Sequence, residues 1–234
     1  MISFFQKFAS YFSPVILWQG AGSSHEHIEV SIRNGHLQLS VPDAIYSNDV
    51  NYPPFVEAWK HLHTHEVRGD QVVLVLGFGL GSVTAIADKK YNIRGIHFVG
   101  VDNEEVALDT ARKYKQSIYR GPWELIDADV MAHLTASVER NSASRVVPKK
   151  AALVFVDLFN GAEMHPILLS DSFWQPLKHI LADGAKVAIN YMSTSAEHQQ
   201  AFENRIAQHF QGIQKLPCGK NYCYIVEQAI HPIP

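Results

Sequence analysis

The sequence has little cysteine, no long apolar run and no strong excess of charge. Among its 234 residues only Cys218 and Cys223 are cysteines. This excludes a disulfide-rich framework and favours a reduced, cytoplasmic chain in which the two thiols stay unpaired. The apolar runs are shorter than the ~20 residues that a membrane-spanning helix needs, so we expect no membrane partner.

The charges of the chain are nearly balanced. Lys and Arg number 20, Asp and Glu number 23, and the formal net charge at pH 7 is −3. No long basic run occurs, which argues against nucleic acid as a main partner. A P-loop is also excluded, because no Gly-Lys-Ser or Gly-Lys-Thr follows a glycine-rich turn.

Residues 1–18 are rich in aromatic side chains. They lack a basic stretch followed by an unbroken apolar core, so we do not interpret them as a signal peptide. The plainer interpretation is an amphipathic segment that packs on the body of the protein or on another subunit. The second case would give a homodimer.

The most informative segment is an apolar run that leads into glycines. Val72–Leu76 is typical of a strand buried on both faces. Gly77, Gly79 and Gly81 follow it, and a helical pattern begins at Val83. Glycines let the backbone approach a ligand and the helix N-terminus offers free N–H groups, so this order predicts a nucleotide site. The G-x-G-x-G spacing differs from the NAD fingerprint, which makes an NAD-dependent oxidoreductase a distant alternative.

Acidic residues stand at the ends of three later strands. Strands are predicted over residues 96–101, 123–126, 151–156 and 185–191. Asp102 ends the first, Asp129 lies just beyond the second, and Asp157 ends the third. The strand ends lie roughly 25–30 residues apart, the length of one βα unit. Right-handed crossovers place the carboxyl ends at one edge of a parallel sheet, so these acids and Gly77 should converge on one crevice.

An antiparallel appendage precedes this domain. Residues 28–33 and 36–41 alternate apolar and polar side chains, and Asn34-Gly35 between them is a strong hairpin signal. We therefore assign residues 1–52 to an N-terminal segment with a β-hairpin and residues 53–234 to a Rossmann-like α/β domain. Helices are predicted over residues 53–65 and 196–210. A third is predicted to begin after Asn103 as its N-cap, and a fourth to run from residue 171 to Asp183-Gly184. Residues 141–150 are predicted to form a polar loop. Two strand-like runs around 219–221 predict an antiparallel end to the sheet.

Each carboxylate at the predicted crevice has two interpretations. Asp102 lies roughly 25 residues after the glycine turn, near the ~20-residue offset of a carboxylate that binds ribose hydroxyls. Asp129 could accept a bond from an adenine amino group, and Asp157 would face the reacting end of a ligand. Alternatively, Asp102 and Asp129 cap the helices that follow them and Asp157 caps its loop.

Two further groups of residues were considered for chemistry. His61, His63 and His65 suggest a metal site, but alternate residues do not share a helix face and no cysteine or carboxylate cluster accompanies them, so we expect no metal. Five aromatic side chains could line an acceptor pocket. They are Tyr46, Tyr52, Phe159, Trp174 and Tyr191, of which Tyr46 and Tyr191 lie near predicted crevice positions.

These residues resemble the class I S-adenosylmethionine-dependent methyltransferase fold, and within it the spermidine synthase branch. The resemblance extends from about Ile28 to Tyr191. Residues 43–49 are similar to the β segment that leads into the domain, and residues 73–82 to the glycine-rich cofactor loop. Residues 102–106 and 128–130 match the acidic strand ends of the family. Residues 156–160 and 171–174 are similar to its catalytic loop and the helix that follows. It implies a seven-stranded sheet of order 3-2-1-4-5-7-6, mostly parallel, with an antiparallel last strand.

The resemblance also implies roles for individual residues. S-adenosylmethionine or its decarboxylated form would contact Gly77, Phe78, Gly79, Leu80, Gly81, Asp102, Asn103, Asp129 and Val130. A small-molecule acceptor, expected to be an amine, would contact Tyr46, Phe159, Asn160 and Tyr191. Asp157 would be catalytic. The expected protein is a transferase that moves a methyl or an aminopropyl group.

The chain departs from the spermidine synthase branch at three places. Leu80 stands where these enzymes carry an aspartate, Gly100 stands where they carry a glutamate, and residues 157–160 retain one acid. A neutral Leu80 should favour the carboxylate-bearing cofactor over the decarboxylated one. The loss of acids also favours an alternative function, a non-catalytic cofactor-binding homologue that acts through assembly.

Overall fold

The computed structural model of the chain describes residues 2–23, 25–62, 72–143, 150–161, 163–192 and 195–229. Its first part is a short helix and a four-stranded antiparallel sheet. The elements are α1 (Phe4–Ala9), β1 (Val15–Gly20), β2 (Ile28–Arg33), β3 (His36–Val41), β4 (Ala44–Ser47) and α2 (Pro53–His61). Neighbouring strands pair in chain order from β1 to β4.

The predicted hairpin lies at the centre of this appendage. Asn34 and Gly35 both have positive φ, as a two-residue turn between antiparallel strands requires, and Arg33 pairs with His36. Strand β4 falls within the predicted lead-in at residues 43–49, whereas β1 was not predicted. Residues 1–18 are not one amphipathic segment, because the chain leaves α1 and enters β1 at Val15, which pairs with Ile32.

Aromatic side chains around α1 are exposed. Phe4, Phe5, Phe8, Tyr11 and Phe12 each leave more than half of their surface accessible. The rings are close enough to touch one another, with Phe8 and Phe12 centroids 5.2 Å apart. The segment therefore presents an apolar surface, and its packing on another subunit stays a prediction.

The second part of the chain forms a seven-stranded sheet. Its strands are β5 (Val72–Leu76), β6 (Phe98–Asp102), β7 (Trp123–Asp127), β8 (Ala151–Val156), β11 (Leu181–Tyr191), β12 (Gln211–Cys218) and β13 (Asn221–Glu227), with the short pair β9 (Phe159–Asn160) and β10 (Glu163–Met164) beside it. The order is β12-β13-β11-β8-β5-β6-β7. Strands β7, β6, β5, β8 and β11 are parallel, and β13 is antiparallel to both of its neighbours. The predicted fold class and strand order are confirmed.

Helices cover both faces of this sheet. They are α3 (Ser82–Tyr91), α4 (Glu105–Lys113), α5 (Lys115–Ile118), α6 (Val130–Ala143), α7 (Asp171–Ile180) and α8 (Ala196–His209). Strand residues alternate between the two cores, with Val73 and Val75 in one and Leu74 and Leu76 in the other. This two-sided burial explains the unbroken apolar run that predicted β5.

Three predicted helix boundaries differ from the structure. Helix α7 ends at Ile180, before Asp183-Gly184, because Leu181 already pairs with Ala151 at the start of β11. Helix α6 runs to Ala143, so the predicted loop at 141–150 begins with helix, and its residues 144–149 lie outside the described part. Helix α2 ends at His61, and Leu62 is extended.

The appendage and the sheet share one core. Buried Val30, Ile32 and Leu39 of the appendage belong to the same cluster as Phe55 and Trp59 of α2. A partly buried polar cluster adds to this packing: buried Asp49 accepts from Lys89 at 2.6 Å and from His36 at 3.0 Å. The division of the chain at residues 52 and 53 stays a prediction.

Two further observations concern the whole described chain. Among the described residues, no helix combines the length and apolar character needed to cross a membrane. Cys218 and Cys223 are both buried and free, although they lie on paired strands, because Cys223 faces Leu216 and Cys218 faces Asn221 in the register.

Candidate functional site

A cavity of about 320 Å³ lies at the carboxyl ends of β5, β6 and β8, under the appendage. This volume is within the range of small-molecule sites. Ten of the fourteen residues assigned to the site from the sequence line it. They are Gly77, Gly79, Asp102, Asn103, Asp129 and Val130 from the cofactor set, with Tyr46, Asp157, Phe159 and Asn160.

The glycine loop lies against residues 157–160, the loop that the resemblance predicts to be catalytic. Gly77 has φ +82°, and a Cβ at this position would overlap the carbonyl oxygen of Asp157. Glycine is therefore required here both by conformation and by close approach. The Gly79 N–H donates to Asp102 Oδ2 at 2.7 Å, which ties the turn to the end of the neighbouring strand.

Asp102 is held by backbone donors from both sides. Besides Gly79, the Glu104 N–H donates to Asp102 Oδ1 at 2.9 Å. The N-cap of α4 is Glu104, which makes no side-chain cap bond, so the predicted Asn103 cap is wrong. Burial raises the pKa of the Asp102 carboxyl, although the backbone N–H groups oppose this. A carboxylate has about four acceptor positions, so Asp102 keeps capacity for ribose hydroxyls.

Asp129 performs the capping role that was its second interpretation. Its Oδ1 accepts from the Ala132 N–H at 3.0 Å in the first turn of α6. It also lines the cavity beside Val130 and Met131. A contact between Asp129 and an adenine amino group stays a prediction.

Asp157 lies at the end of β8 in a small polar network. Its Oδ1 accepts from the Asn190 amide at 2.8 Å and from the Tyr52 hydroxyl at 3.1 Å. Burial raises the pKa of the Asp157 carboxyl to about 7, while the bonds from Asn190 and Tyr52 oppose the rise and the charge of Asp102 adds to it. Burial also raises the pKa of Tyr52, so this hydroxyl stays a donor at neutral pH.

Tyr46 connects the appendage to the far wall of the cavity. Its hydroxyl accepts from the Gly161 N–H at 2.6 Å and lies 2.7 Å from His25 Nε2. Gly161 follows the catalytic loop, so Tyr46 fixes the loop that carries Phe159 and Asn160. The predicted position of Tyr46 near the crevice is therefore correct.

Four residues of the predicted site do not line the cavity: Phe78, Leu80, Gly81 and Tyr191. The Phe78 side chain is buried over Gly100 and packs against Trp123. Gly81 is the N-cap of α3. The Phe78 side chain therefore packs the turn, and the Gly81 backbone begins α3.

Leu80 and Tyr191 are core residues. Leu80 is 2% exposed and belongs to the cluster shared with the appendage. Leu80 does not line the cavity, so its side chain is not placed to select between the two cofactors. Tyr191 is 1% exposed and stacks on Phe202 with centroids 4.4 Å apart. It fails as an acceptor contact because its side chain points into the helix-covered face of the sheet.

The sequence analysis missed several residues of the cavity. Tyr52 was considered but was not assigned to the site. His25, Glu104, Met131, His165 and Ile167 line the cavity without having been considered. Asn190 does not line the cavity but bonds Asp157. It could have been found, because it is a polar residue inside the apolar run of β11 and directly precedes the strand's end.

No group of three or more His, Cys, Asp or Glu side chains in the described ranges is arranged to hold a metal ion. His61 bonds Glu57 at 3.3 Å. His63 and His65 lie outside the described residues.

Comparisons with known proteins support the fold through structure and not through sequence. No family model matches the chain, and no curated protein matches it. A spermidine synthase in complex with the transition-state analogue AdoDATO superposes with a TM-score of 0.63 at 12% identity, over 94% of this chain and 74% of that one. A probable spermidine synthase from Corynebacterium glutamicum superposes with a TM-score of 0.61 at 15% identity, over 92% of this chain and 79% of that one.

A methyltransferase gives a similar result over a smaller part of the chain. Human methyltransferase-like protein 13 in complex with SAH has a TM-score of 0.57 at 15% identity, over 69% of this chain and 72% of that one. This chain has the spermidine synthase-like class I methyltransferase fold. The spermidine synthases cover the appendage as well as the sheet, which is why the shared length is greater for them.

The cavity of this spermidine synthase-like fold fits an adenosyl cofactor. Gly77 and Gly79 line the cavity without side chains, Asp102 presents a carboxylate, and Val130 with Met131 supplies an apolar edge. Such a set suits a ribose, a purine face and a cationic sulfonium. Asp157 lies in the same cavity, so a reacting carbon and a proton acceptor could be brought together there.

Proposed function

We propose that the protein is a transferase that uses S-adenosylmethionine or its decarboxylated form to alkylate an amine. The observation that carries this proposal is the Asp157 carboxyl at the cavity wall, whose Oδ1 is held by Tyr52 and Asn190 and whose pKa burial raises to about 7. A base works best when its pKa is near the working pH. The structural neighbours named above are consistent with this chemistry.

In this proposal Asp102, Gly77 and Gly79 bind the adenosine part, and Asp157 faces the acceptor. When bound, the cofactor would supply a carbon activated by a sulfonium, so that transfer to the amine would form a C–N bond, break the C–S bond and leave the electron pair on the sulfur of a neutral thioether. Asp157 accepts the proton that the amine nitrogen loses. Tyr52 and Asn190 hold the carboxylate in place through Oδ1.

The test is turnover by the parent and by Asp157→Asn. Each cofactor is incubated with a panel of primary amines, and mass spectrometry detects a gain of a methyl or an aminopropyl group. Loss of a general base should lower turnover about 10²–10⁴-fold, with little change in methylthioadenosine affinity. Asp171→Asn is the matched control, because Asp171 is half exposed and pairs with Arg205 and His209 away from the cavity.

Full activity of Asp157→Asn would contradict the assignment of the base. Absence of transfer from either cofactor to any amine, with the cofactor bound, would instead support the second candidate. That candidate is a cofactor-binding homologue that acts through assembly as a homodimer. The exposed rings of Phe4, Phe5, Phe8, Tyr11 and Phe12 favour it, since exposed apolar patches mark interaction surfaces.

A further inference from the structure

Behind Asp157 lies a chain of two asparagines that ends on another strand. Asn190 is the second-last residue of β11 and is fully buried. Its Nδ2 donates to Asp157 Oδ1 at 2.8 Å and to the Tyr52 hydroxyl oxygen at 3.1 Å. Because Tyr52 itself donates to Asp157 Oδ1 at 3.1 Å, the three side chains form a closed ring.

The orientation of the Asn190 amide is set by Asn221. Asn221 is the first residue of β13, and its Nδ2 donates to Asn190 Oδ1 at 2.7 Å. A reversed amide would place the Asn190 oxygen against the Asp157 carboxylate and its NH₂ group against that of Asn221. Asn221 therefore fixes the arrangement in which Asn190 presents donors to Asp157 and Tyr52.

Resting on the proposed function, we propose that Asn190 and Asn221 are positioning residues that hold the Asp157 carboxylate at the cavity wall for the acceptor. Neither asparagine is among the residues that line the cavity, so they act through Asp157. A purely structural role would not need an amide in the ring, because an apolar side chain would fill a fully buried position on this strand without needing a partner.

The proposal predicts a change in the protonation of Asp157. Donors to a carboxylate favour its charged form, so their loss raises the pKa of Asp157. The titratable groups around this carboxyl are Tyr52 at the start of α2, Tyr46 on β4, Asp102 at the end of β6 and Cys223 on β13. Burial raises the pKa of Tyr46, Tyr52 and Cys223 from ordinary values that already lie above neutral pH. Burial also raises the pKa of Asp102 from 3.8, so the signal of Asp102 has to be distinguished from that of Asp157, which the assignment with Asp157→Asn does.

The experiment compares Asn190→Leu and Asn221→Ala with the parent. Asn190→Leu keeps the side-chain volume and removes the amide, and Asn221→Ala keeps Asn190 but removes the bond that orients it. Two readouts are taken: the acidic limb of the pH profile of kcat/KM for amine alkylation, and the carbon-13 shift of the Asp157 carboxyl against pH, assigned with Asp157→Asn. Lys220→Ala in the same hairpin turn is the control, because Lys220 is exposed.

Asn190→Leu should move both the acidic limb and the carboxyl titration toward higher pH by about 1 to 2 pH units. It should lower the rate above the new midpoint about 10- to 100-fold through misplacement of the base. Asn221→Ala should move the acidic limb and the carboxyl titration toward higher pH by a smaller amount. Lys220→Ala should leave the limb and the titration unchanged. Methylthioadenosine affinity should stay at the parent value in all three variants.

An unchanged carboxyl titration and an unchanged limb in folded Asn221→Ala would overturn the inference, even if Asn190→Leu fails to fold. The inference is also overturned if the variants have lower rates but an unchanged acidic limb and an unchanged Asp157 titration, because a purely structural role predicts that result. The carbon-13 titration does not depend on turnover. Failure of the parent to alkylate amines would therefore reject the proposed function. The titration would still test whether Asn190 and Asn221 stabilise the charged form of Asp157.

Discussion

Gly77 lies directly against the backbone of Asp157. The two residues follow the adjacent parallel strands β5 and β8, and the Asp157 N–H donates to the Leu76 carbonyl oxygen at 2.8 Å. A Cβ at Gly77 would overlap the Asp157 carbonyl oxygen. The glycine turn thus positions the backbone of Asp157 at the start of the 157–160 loop.

Gly77→Ala should therefore destabilise the protein and impair the site. The change adds a clash to an unfavourable positive φ, so we expect a loss of about 3 kcal/mol or more in the free energy of unfolding. Gly219→Ala is the matched control, since Gly219 has φ +75° and open space where a Cβ would lie. It should lose only about 1–2 kcal/mol. Equal losses in urea denaturation would show that the contact with Asp157 is unimportant.

Asp102→Asn should weaken adenosine-type ligands by about 1–3 kcal/mol, because a charge-assisted bond to the ribose becomes a neutral one. The asparagine also replaces one of the acceptor oxygens that hold the Gly79 and Glu104 N–H groups. Calorimetry with methylthioadenosine measures the change, and circular dichroism checks the fold. Parent-like affinity in the folded variant would remove Asp102 from the site.

Leu80→Asp should unfold the protein more easily and should not act as a selectivity switch. Leu80 is buried in the core under the appendage, and a carboxylate there would be charged without a partner. We expect a loss of about 3 kcal/mol or more in the free energy of unfolding. Leu80→Met, which conserves volume, should lose less than about 1.5 kcal/mol. A stable Leu80→Asp that gains preference for the decarboxylated cofactor would restore the original argument.

Asp157 should make the stability of the protein fall as pH rises. The folded pKa of about 7 exceeds the ordinary value of 3.8, so the folded state binds this proton more tightly than the unfolded state. The resulting stabilisation is fully present below about pH 4 and is lost as pH rises through about 7. Asp157→Asn should remove this decline and be more stable than the parent at pH 8 by on the order of 2 kcal/mol. Parallel stability curves from pH 4 to 8 would contradict this account.

The sequence predicted the parts of the fold that repeat. The β5 run, its glycines and the acids at later strand ends follow from alternation, buried apolar runs and βα spacing, and they were found where expected. Strand β1 was missed because Val15–Gly20 has an irregular burial pattern and a register shift near Ile16 and Trp18. No simple alternation could identify it.

Side-chain direction limited the prediction of the site. Leu80 and Tyr191 have the correct chain positions, yet their side chains point into the two cores. Tyr52 and Asn190 come from segments 138 residues apart in the chain, and only the folded structure brings them to Asp157. Spacing therefore identified the carboxylates at the strand ends, while their partners depended on tertiary packing.

The most direct test of the account is a calorimetric titration of the parent protein with four ligands. They are S-adenosylmethionine, its decarboxylated form, methylthioadenosine and NAD. We predict that methylthioadenosine and at least one of the two sulfonium cofactors bind with one site per chain, and that NAD binds at least about 10-fold more weakly because the glycine spacing differs from its fingerprint. Tighter binding of NAD, or no binding of any adenosyl ligand by the folded protein, would contradict the account.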